Sequence, residues 1–314
     1  MSAPGGLRPL VRPRRLRPGD RVAVVAPSGP FPRESLDAGL DLLRGWDLDP
    51  FVLPHAHDTH PRLGYLAGTD QARARDFEAA WCDPRTAAVF SARGGYGAQR
   101  MADLVDWRRL REAGPKLYLG FSDATALHEA IAVHLGLATL HGPMPAWSVL
   151  AKDATTQEHL RRTLFEPETV QTVTSPTARC LVPGRARGVT LGGCVSLLAA
   201  GLGTPDARPS AAGGILLIED VGEEDYRLDR ILTQLLRAGW LTGVAGIALG
   251  SWRDCGPYAG VREVLLDRLG PLGVPIVEEL DFGHGSPSLT LPLGVPAELD
   301  AQAATLRFTV PALA

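Results

Sequence analysis

The stretch KLYLGFSDATALHEAIAVHLG, from Lys116 to Gly136, contains two elements of regular structure and one sharp turn. Its apolar start, KLYLG (116–120), predicts a buried strand, and the helical spacing of apolar residues over 124–136 predicts a helix. Only the turn separates them. A strand that runs directly into a helix is the building unit of an α/β fold with a parallel sheet.

The same alternation extends toward the N-terminus. RVAVVAP (21–27), FVLP (51–54) and AAVFSARGGYG (87–97) predict strands, and helical patterns cover 34–46 and 69–83. Alternation of this kind predicts a mainly parallel sheet with helices on both faces.

The pattern changes between about residues 145 and 185, and the second half is richer in short apolar runs such as GILLIED. We therefore expect a flexible tail over 1–15 and an N-terminal α/β domain over 16–150. A linker over 151–186 is expected to precede a C-terminal β-rich α+β domain over 187–314.

Composition excludes several classes of protein. The chain has 314 residues, of which 45% are hydrophobic and 21% charged, and this is ordinary globular usage. We expect no membrane-spanning helix, because no apolar run reaches about 18 residues. A net charge of −3 gives no reason to expect nucleic acid as a partner. The four cysteines form no CxxC pair and the N-terminus lacks a secretory apolar core, so we expect free thiols in a cytoplasmic protein.

Ser122 lies in the turn between the strand and the helix of the central stretch. The residues Gly120 to Ala124 approximate the G-x-S-x-G nucleophile elbow, with alanine in the last position. Such a turn exposes the hydroxyl, and the helix start offers free amides to a developing oxyanion. The structural alternative is that Ser122 is only a helix N-cap.

A glycine cluster follows the strand that precedes this stretch. Gly94, Gly95 and Gly97 permit positive φ and close approach of a ligand to the backbone. Their place at the carboxyl end of a parallel strand is where ligands bind in open α/β sheets. The cluster is neither a P-loop nor G-x-G-x-x-G, and a plain glycine turn remains open.

Acid–base candidates lie in the second half. Glu219 and Asp220 follow an apolar strand, where a carboxylate can orient a histidine. His284 lies between two glycines, and histidine is the natural base for a serine hydroxyl. A salt-bridged helix start and a loop histidine without a role are the alternatives.

Several other histidines are candidates for a functional role. His128 lies on the helix after the elbow and is expected to point away from it, and His141 has the potential to approach Ser122. A loop has the ligand density of a metal site, but a solvated loop is the expectation because no partner ligands are evident elsewhere. Its residues are His55, His57, Asp58 and His60.

Eight segments, in order, resemble the L,D-carboxypeptidase family of serine peptidases, which includes the microcin C immunity peptidases. The resemblance runs from about Leu16 to the C-terminus. The segments are RPGDRVAVVAPSGP, GYLAGTDQARARDFEAAWCDP, FSARGGYGAQR, LGFSDATALH, TLHGPM, GVTLGGCVSLLAAGLGTP, LLIEDVGEEDYRLDRIL and FGHGSPSLTLPLG.

The resemblance implies a flavodoxin-like N-terminal domain, with the site between it and the C-terminal domain. It also implies a catalytic triad in which Ser122 is the nucleophile, Glu219 the orienting acid and His284 the base. Backbone amides form the oxyanion hole in the family, and by position these belong to Asp123 and Gly94.

Three residues beside the glycine cluster are expected to contact the substrate. They are Arg93, Gly95 and Tyr96. Arg93 and Arg227 are candidates for binding a terminal carboxylate, with ion pairs inside the protein as the alternative.

The reaction that the resemblance implies is hydrolysis of the amide between a di-amino acid and the terminal D-alanine of a murein tetrapeptide during cytoplasmic cell-wall recycling. It needs no metal or organic cofactor. The expected partner is this small peptide, and a homodimer is expected from the relatives. Many relatives carry asparagine where this chain has Cys194, which puts any contact of that side chain in doubt.

Three alternatives remain. The first is a microcin immunity-type peptidase that cleaves aminoacyl-nucleotide conjugates. The second is a non-hydrolytic binding protein on the same fold, which the intact triad positions disfavour. The third is a nucleotide-binding protein that uses the glycine cluster, which lacks a phosphate-loop lysine.

Overall fold

The structure is a computed structural model that describes residues 6–314, and its strands form two sheets. Strands and helices are numbered along the chain. The first sheet contains β1 (Arg21–Val25), β2 (Asp49–Val52), β3 (Thr86–Ser91), β4 (Leu117–Gly120), β5 (Thr139–His141) and β12 (Leu291–Leu293). The second contains β6 (Thr172–Val173), β7 (Arg179–Val182), β8 (Arg185–Cys194), β9 (Gly214–Val221), β10 (Gly246–Arg253), β11 (Ile276–Glu278), β13 (Pro296–Asp300) and β14 (Thr305–Phe308).

Ten α-helices are present in the described part of the chain. They are α1 (Arg33–Gly45), α2 (Asp70–Cys82), α3 (Ala98–Ala102), α4 (Trp107–Ala113), α5 (Thr125–Leu135), α6 (Ser148–Lys152), α7 (Ala154–Phe165), α8 (Val195–Ala200), α9 (Asp225–Arg237) and α10 (Tyr258–Leu269). None of them, within residues 6–314, has both the length and the hydropathy to cross a bilayer.

The first sheet has the order β12-β5-β4-β3-β1-β2, and β1 to β5 run parallel. This is the flavodoxin-like order, in which the switch point lies between β1 and β3. Alternate residues of each strand pack on opposite faces: Tyr118 joins the core under α2 and α5, whereas Leu117 and Leu119 join the core under α1 and α7. The predicted parallel sheet with helices on both faces is confirmed.

The second sheet has the order β6-β14-β13-β8-β9-β10-β11-β7. Its four central strands, β8 to β11, are parallel and are connected through α8, α9 and α10. Antiparallel strands flank them on both sides. The second half is therefore the β-rich part of a mixed α/β protein, as expected.

Residues 6–15 differ from the expected flexible tail, of which residues 1–5 lie outside the described residues. The backbone N–H of Leu7 donates to Ala212 O, that of Leu10 to Gly294 O and that of Val11 to Gly136 O, all within 2.8–3.1 Å. The segment is extended and satisfies its polar groups on the folded chain, although its arginines and prolines suggest a solvated tail.

The expected linker, 151–186, also differs, because it contains β6 and β7 and because its helical stretch, α7, packs on the first sheet. Leu160 and Leu164 of α7 are buried in the core of the first sheet. The two strands are short, lie toward the outer edges of the second sheet and carry no continuous apolar run, so the sequence pattern gives little sign of them. The expected boundary at 187 is crossed as well, since β12 pairs with β5 of the first sheet.

Candidate active site

Ser122 lies at the sharp turn between β4 and α5. Its φ is +61°, in the left-handed region that non-glycine residues seldom adopt. A short 3₁₀ turn over Ser122–Ala124 leads into the helix, and Ser122 remains half-buried. Strained backbone at such a turn is typical of a nucleophile elbow, whereas a simple N-cap serine has extended backbone.

The glycine loop after β3 lies directly against this turn. A Cβ atom on Gly94 would lie 2.8 Å from Ser122 Cβ, 2.9 Å from Ser122 Oγ and 3.4 Å from the backbone nitrogen of Asp123. The site therefore has no room for a side chain at position 94. Gly95 has a φ of +112° and packs on the backbone of Gly29 in the loop after β1.

The Asp123 side chain points into the protein, toward the start of α3. It is buried, and its Oδ2 accepts a hydrogen bond of 2.8 Å from the backbone N–H of Ala98, the first residue of α3. Burial raises the pKa of this carboxyl group, against the hydrogen bonds that it accepts. The bond ties the glycine loop to the elbow, so that Gly94 and the Asp123 amide keep their relation to Ser122.

Glu219 and His284 form a buried pair at the facing edge of the second sheet. Glu219 belongs to β9 and has no exposed surface. Its Oε2 lies 2.6 Å from His284 Nδ1 and also accepts from the His284 backbone N–H at 3.2 Å. Gly283, with a φ of +92°, permits this approach, because a Cβ there would lie 2.4 Å from the same oxygen.

The contact between Glu219 and His284 shifts the pKa of each residue. Burial alone would lower the pKa of His284, but the charge and the hydrogen bond of Glu219 outweigh it and raise this pKa above its ordinary value. Burial alone would raise the pKa of Glu219, but His284 and, to a lesser extent, His141 lower it to about 2. At neutral pH the acid is ionised and the histidine is held in one orientation.

The turn at Ser122 and the pair of Glu219 and His284 meet at Phe121, the residue before Ser122. Its ring centroid lies 4.8 Å from that of His284 and 4.8 Å from that of Trp147. A second link joins α5 to β8, since Thr125 Oγ1 accepts the backbone N–H of Cys194 at 3.0 Å. The structure thus brings the predicted nucleophile, acid and base to one junction between the sheets.

The predicted substrate contacts lie on the outer side of the glycine loop. Arg93 is exposed and donates to Pro30 O at 2.5 Å, and it forms no ion pair with any described residue. Tyr96 is 46% exposed, and its ring centroid is 5.9 Å from that of Tyr65. An unpaired cation and two exposed rings therefore flank the loop that contacts Ser122.

The histidine-rich loop is not gathered into a metal site. His55 Nδ1 pairs with Asp58 at 2.8 Å, His57 packs edge-on against Phe31, and His60 accepts from neighbouring backbone amides. No group of three metal-ligating side chains occurs within residues 6–314. His55 and His60 therefore bond within the loop, and His57 is packed against Phe31.

His128 has a structural environment, because its two ring nitrogens contact Gly120 O and Thr139 Oγ1, each at 2.8 Å. Burial lowers its pKa to about 3, so it is neutral. His141 lies elsewhere, 3.8 Å from the second oxygen of Glu219. In the sequence, His141 is marked only as a polar residue at the carboxyl end of β5, the strand next to β4. In the structure its ring faces Glu219 rather than Ser122.

Cys194 is buried, and its backbone pairs with that of Glu219 across β8 and β9. Its Sγ donates to Asp220 Oδ1 at 3.1 Å, and Asp220 Oδ2 accepts from the backbone N–H of Ser196 at 2.8 Å. Burial, followed by the nearby carboxylates, raises the pKa of this thiol well above its ordinary value. The thiol is therefore a packing and hydrogen-bonding group in this structure.

Comparisons with known proteins agree with this architecture. Residues 22–142 match the profile of the LD-carboxypeptidase N-terminal domain, and residues 187–299 match that of the LD-carboxypeptidase C-terminal domain. A Streptomyces coelicolor protein, named provisionally as a carboxypeptidase, is 66% identical over 307 residues, covering 98% of this chain and 99% of the relative.

A second relative is the murein tetrapeptide carboxypeptidase of Pseudomonas aeruginosa, which is 33% identical over 290 residues, covering 89% of this chain and 93% of that protein. The solved structure of the microcin immunity protein MccF in complex with glutamyl sulfamoyl guanosine has the same fold. Its TM-score is 0.84 at 22% identity, over 96% of this chain and 99% of that one. Two matched domains and relatives aligned over nearly their whole length lead to one conclusion: the chain belongs to the LD-carboxypeptidase family.

Proposed function

We propose that this chain is a serine L,D-carboxypeptidase that releases the terminal D-alanine of murein tetrapeptides through an acyl-enzyme. The observation that carries the proposal is the 2.6 Å contact between Glu219 and His284 beside a serine held at a φ of +61°. A buried carboxylate that orients a histidine next to a strained serine is the arrangement of acyl-transfer catalysts.

In the proposed mechanism, His284 removes the proton of Ser122 as the hydroxyl attacks the amide carbonyl. Glu219 holds the Nδ1–H of His284, which leaves Nε2 as the base. The tetrahedral oxyanion is stabilised by the amides of Asp123 and Gly94. His284 then protonates the leaving D-alanine, and water resolves the acyl-enzyme by the same steps in reverse. No step requires a metal or an organic cofactor.

The rim of the glycine loop supports a peptide with a free carboxyl end. The Arg93 guanidinium is exposed without a carboxylate partner among the described residues, and such a fork binds a terminal carboxylate in bidentate geometry. Tyr96 and Tyr65 offer aromatic surface beside it. We assign Arg93, Gly95 and Tyr96 to substrate binding on this basis. The proposal also includes a cytoplasmic location and a homodimer.

The test is a mass-spectrometric assay of the purified chain with a murein tetrapeptide, run beside Ser122→Ala and Ser35→Ala. Ser35 is a matched control, because it is also half-buried but lies on α1. We expect the wild type and Ser35→Ala to release D-alanine and Ser122→Ala to release none. Equal release by Ser122→Ala would contradict the assignment of Ser122 as the nucleophile. No release by the wild type would contradict the murein tetrapeptide as the substrate.

An aminoacyl-nucleotide conjugate belongs in the same assay. The microcin C7 self-immunity protein of Escherichia coli is 27% identical over 267 residues, so the runner-up activity has a relative behind it. Cleavage of the conjugate but not of the tetrapeptide would transfer the proposal to that substrate class with the same triad. A serine-directed fluorophosphonate probe that labels the wild type and not Ser122→Ala would separate either peptidase from a non-hydrolytic binding protein.

A further inference from the structure

The carboxylate of Glu219 is only half satisfied by the triad. Oε2 receives both hydrogen bonds from His284, whereas Oε1 is buried and has no hydrogen-bond partner among residues 6–314. An ionised oxygen removed from water without a donor costs several kcal/mol or more, on the order given by model transfers. The site therefore calls for a second donor on Oε1.

His141 is the group that faces this oxygen. Its Nε2 lies 3.8 Å from Glu219 Oε1, and the residue is 2% exposed. Neither ring nitrogen of His141 has a hydrogen-bond partner in the described part of the chain. An unpartnered acceptor and an unpartnered donor thus lie opposite each other in one buried compartment.

The surroundings of His141 keep it at this position. It ends β5, where it is paired with Gly120 of the nucleophile strand on one side and with Leu291 of β12 on the other. The rings of Phe121 and Phe282 pack edge-on against it, with centroids 5.8 and 6.0 Å away. A movement of about 1 Å brings the two atoms to hydrogen-bond distance, and catalytic contacts commonly tighten in this way when substrate binds.

We propose that His141 is a positioning residue whose Nε2–H donates to Glu219 Oε1 and so keeps Oε2 on His284. The proposal rests on the triad of the proposed function. In this role His141 touches neither the substrate nor Ser122. It acts through the carboxylate, and its expected effect is on the orientation and the basicity of His284.

The charges around the two histidines fix the sign of the effect. His141 faces Glu219 and the neutral His128, and within residues 6–314 its one ion pair is with Glu219. His284 faces Glu219 and, at longer range, Asp220 and Arg253. A donor on Oε1 draws electron density from the carboxylate, so removing it makes Glu219 a stronger acceptor and raises the pKa of His284.

The experiment compares His141→Phe, His141→Asn and His141→Gln. The amide nitrogen of glutamine occupies the place of Nε2 and keeps the donor, whereas the asparagine amide is too short to reach Oε1. We expect the Phe and Asn variants to lose about 10- to 100-fold in kcat, by analogy with outer-shell partners of metal ligands, with KM within about twofold. The Gln variant is expected to retain most of the activity.

Two measurements separate positioning from a merely structural role. NMR titration of the His284 ring needs no substrate, and we expect its midpoint to rise by about half a pH unit or more in the Phe and Asn variants and not in Gln. The acid limb of kcat/KM should move with it. An unchanged midpoint in folded Asn and Phe variants, or a Gln variant as impaired as Asn, would overturn the proposal.

The titration also keeps this inference separate from the proposed function. If the wild type cleaves no tetrapeptide, the proposed substrate fails, but the His284 midpoint still reports whether His141 acts on Glu219. If the Phe variant does not fold, the pair of Asn and Gln decides the question, because both carry an amide and differ only in reach.

Discussion

Strands β4 and β9 end at the proposed active site, but they hold their side chains there by different physical means. On the side of β4, backbone geometry sets the arrangement. Ser122 is held at positive φ, and position 94 has no room for a side chain next to it. On the side of β9, a buried charge sets the arrangement, since Glu219 has no exposed surface and its Oε2 lies 2.6 Å from His284 Nδ1.

The difference predicts how each side fails. A site built from backbone conformation tolerates changes of charge and is sensitive to added volume. A site built from buried charge tolerates small shifts in volume and is sensitive to the loss of one proton or one oxygen. Substitutions that change only one of these properties therefore test the comparison directly.

The largest effect is expected on the charged side, from Glu219→Gln. The amide keeps the size of the side chain but removes the charge, and it can favour the wrong tautomer of His284. We expect kcat to fall about 10⁴-fold, as for the equivalent change in a serine protease triad. The pKa of His284 should fall too, because burial then acts without its main counterweight, and the acid limb of the rate profile moves to lower pH.

Glu278→Gln is the matched control for that variant. Glu278 is equally buried in the same sheet, but its oxygens accept from Arg179, Arg262 and Tyr258. We expect it to lower stability and to leave kcat within about threefold in the folded fraction. Retention of more than a tenth of the wild-type kcat by Glu219→Gln would mean that charge is not what this side contributes.

On the backbone side, Gly94→Ala adds one methyl group and no charge. That carbon would meet Ser122 Cβ at 2.8 Å and Oγ at 2.9 Å, so the loop or the elbow must shift. If the Gly94 amide serves the oxyanion, we expect a loss of about 10²–10³ in kcat. Gly45→Ala is the control, since a Cβ there meets no atom within 4 Å. Equal kcat values for the two variants would contradict a volume-sensitive nucleophile side.

A third effect separates the two sides by pH. The pKa of Glu219 is lowered from 4.5 to about 2, because His284 and then His141 outweigh burial. A group with a lowered pKa contributes stability that is present above its unfolded value and is lost as the pH falls through the folded value.

The measurement is urea denaturation of the wild type and Glu219→Gln between pH 7 and pH 2. We expect the difference in unfolding free energy between them to shrink from about pH 4.5 toward pH 2 as Glu219 is protonated, and to shrink as well when the pH rises through the raised pKa of His284. Gly94→Ala, which changes no titratable group, should show no such convergence with the wild type. A difference that is independent of pH would exclude a charge-based contribution from Glu219.

The same contrast explains what the sequence made predictable. The strand, elbow and helix around Ser122 were predictable because an apolar run, a turn and a helical period are local patterns. Glu219 and His284 lie 65 residues apart, and only the carboxyl end of a strand and the glycines beside the histidine marked them. Their pairing depends on β9 and the 282–294 segment reaching one place, which no local pattern encodes.

The features that were not predicted depend on contacts with distant parts of the chain. Residues 6–15 gain their structure from hydrogen bonds to Ala212, Gly294 and Ala314, all distant in sequence. β12 adds three residues from near the C-terminus to the first sheet. The sequence predicts His141 as a group near Ser122, whereas in the structure its Nε2 lies 3.8 Å from Glu219 Oε1. Each of these depends on contacts between the two halves of the chain.

The smallest effect is expected where the two sides are joined, at Thr125. Its Oγ1 accepts the Cys194 N–H at 3.0 Å, and a Cβ on Gly193 would lie 2.4 Å from the same oxygen, so the helix that follows the elbow is in close contact with β8. Thr125→Val keeps the shape and removes the acceptor, which leaves a buried N–H unpaired at a cost of about 1–3 kcal/mol.

Thr125→Ser keeps the acceptor and is the control. By urea denaturation we expect Val to be less stable than Ser by about 1 kcal/mol or more. We expect kcat to fall less than about tenfold in both variants, because the pairing of β12 with β5 still ties the second half of the chain to the first sheet. A loss of kcat in Val as large as that of Gly94→Ala, without a loss of stability, would show that the hydrogen bond itself sets the geometry. The geometry around Ser122 would then depend on the second sheet, and it would be wrong to attribute it to the local backbone alone.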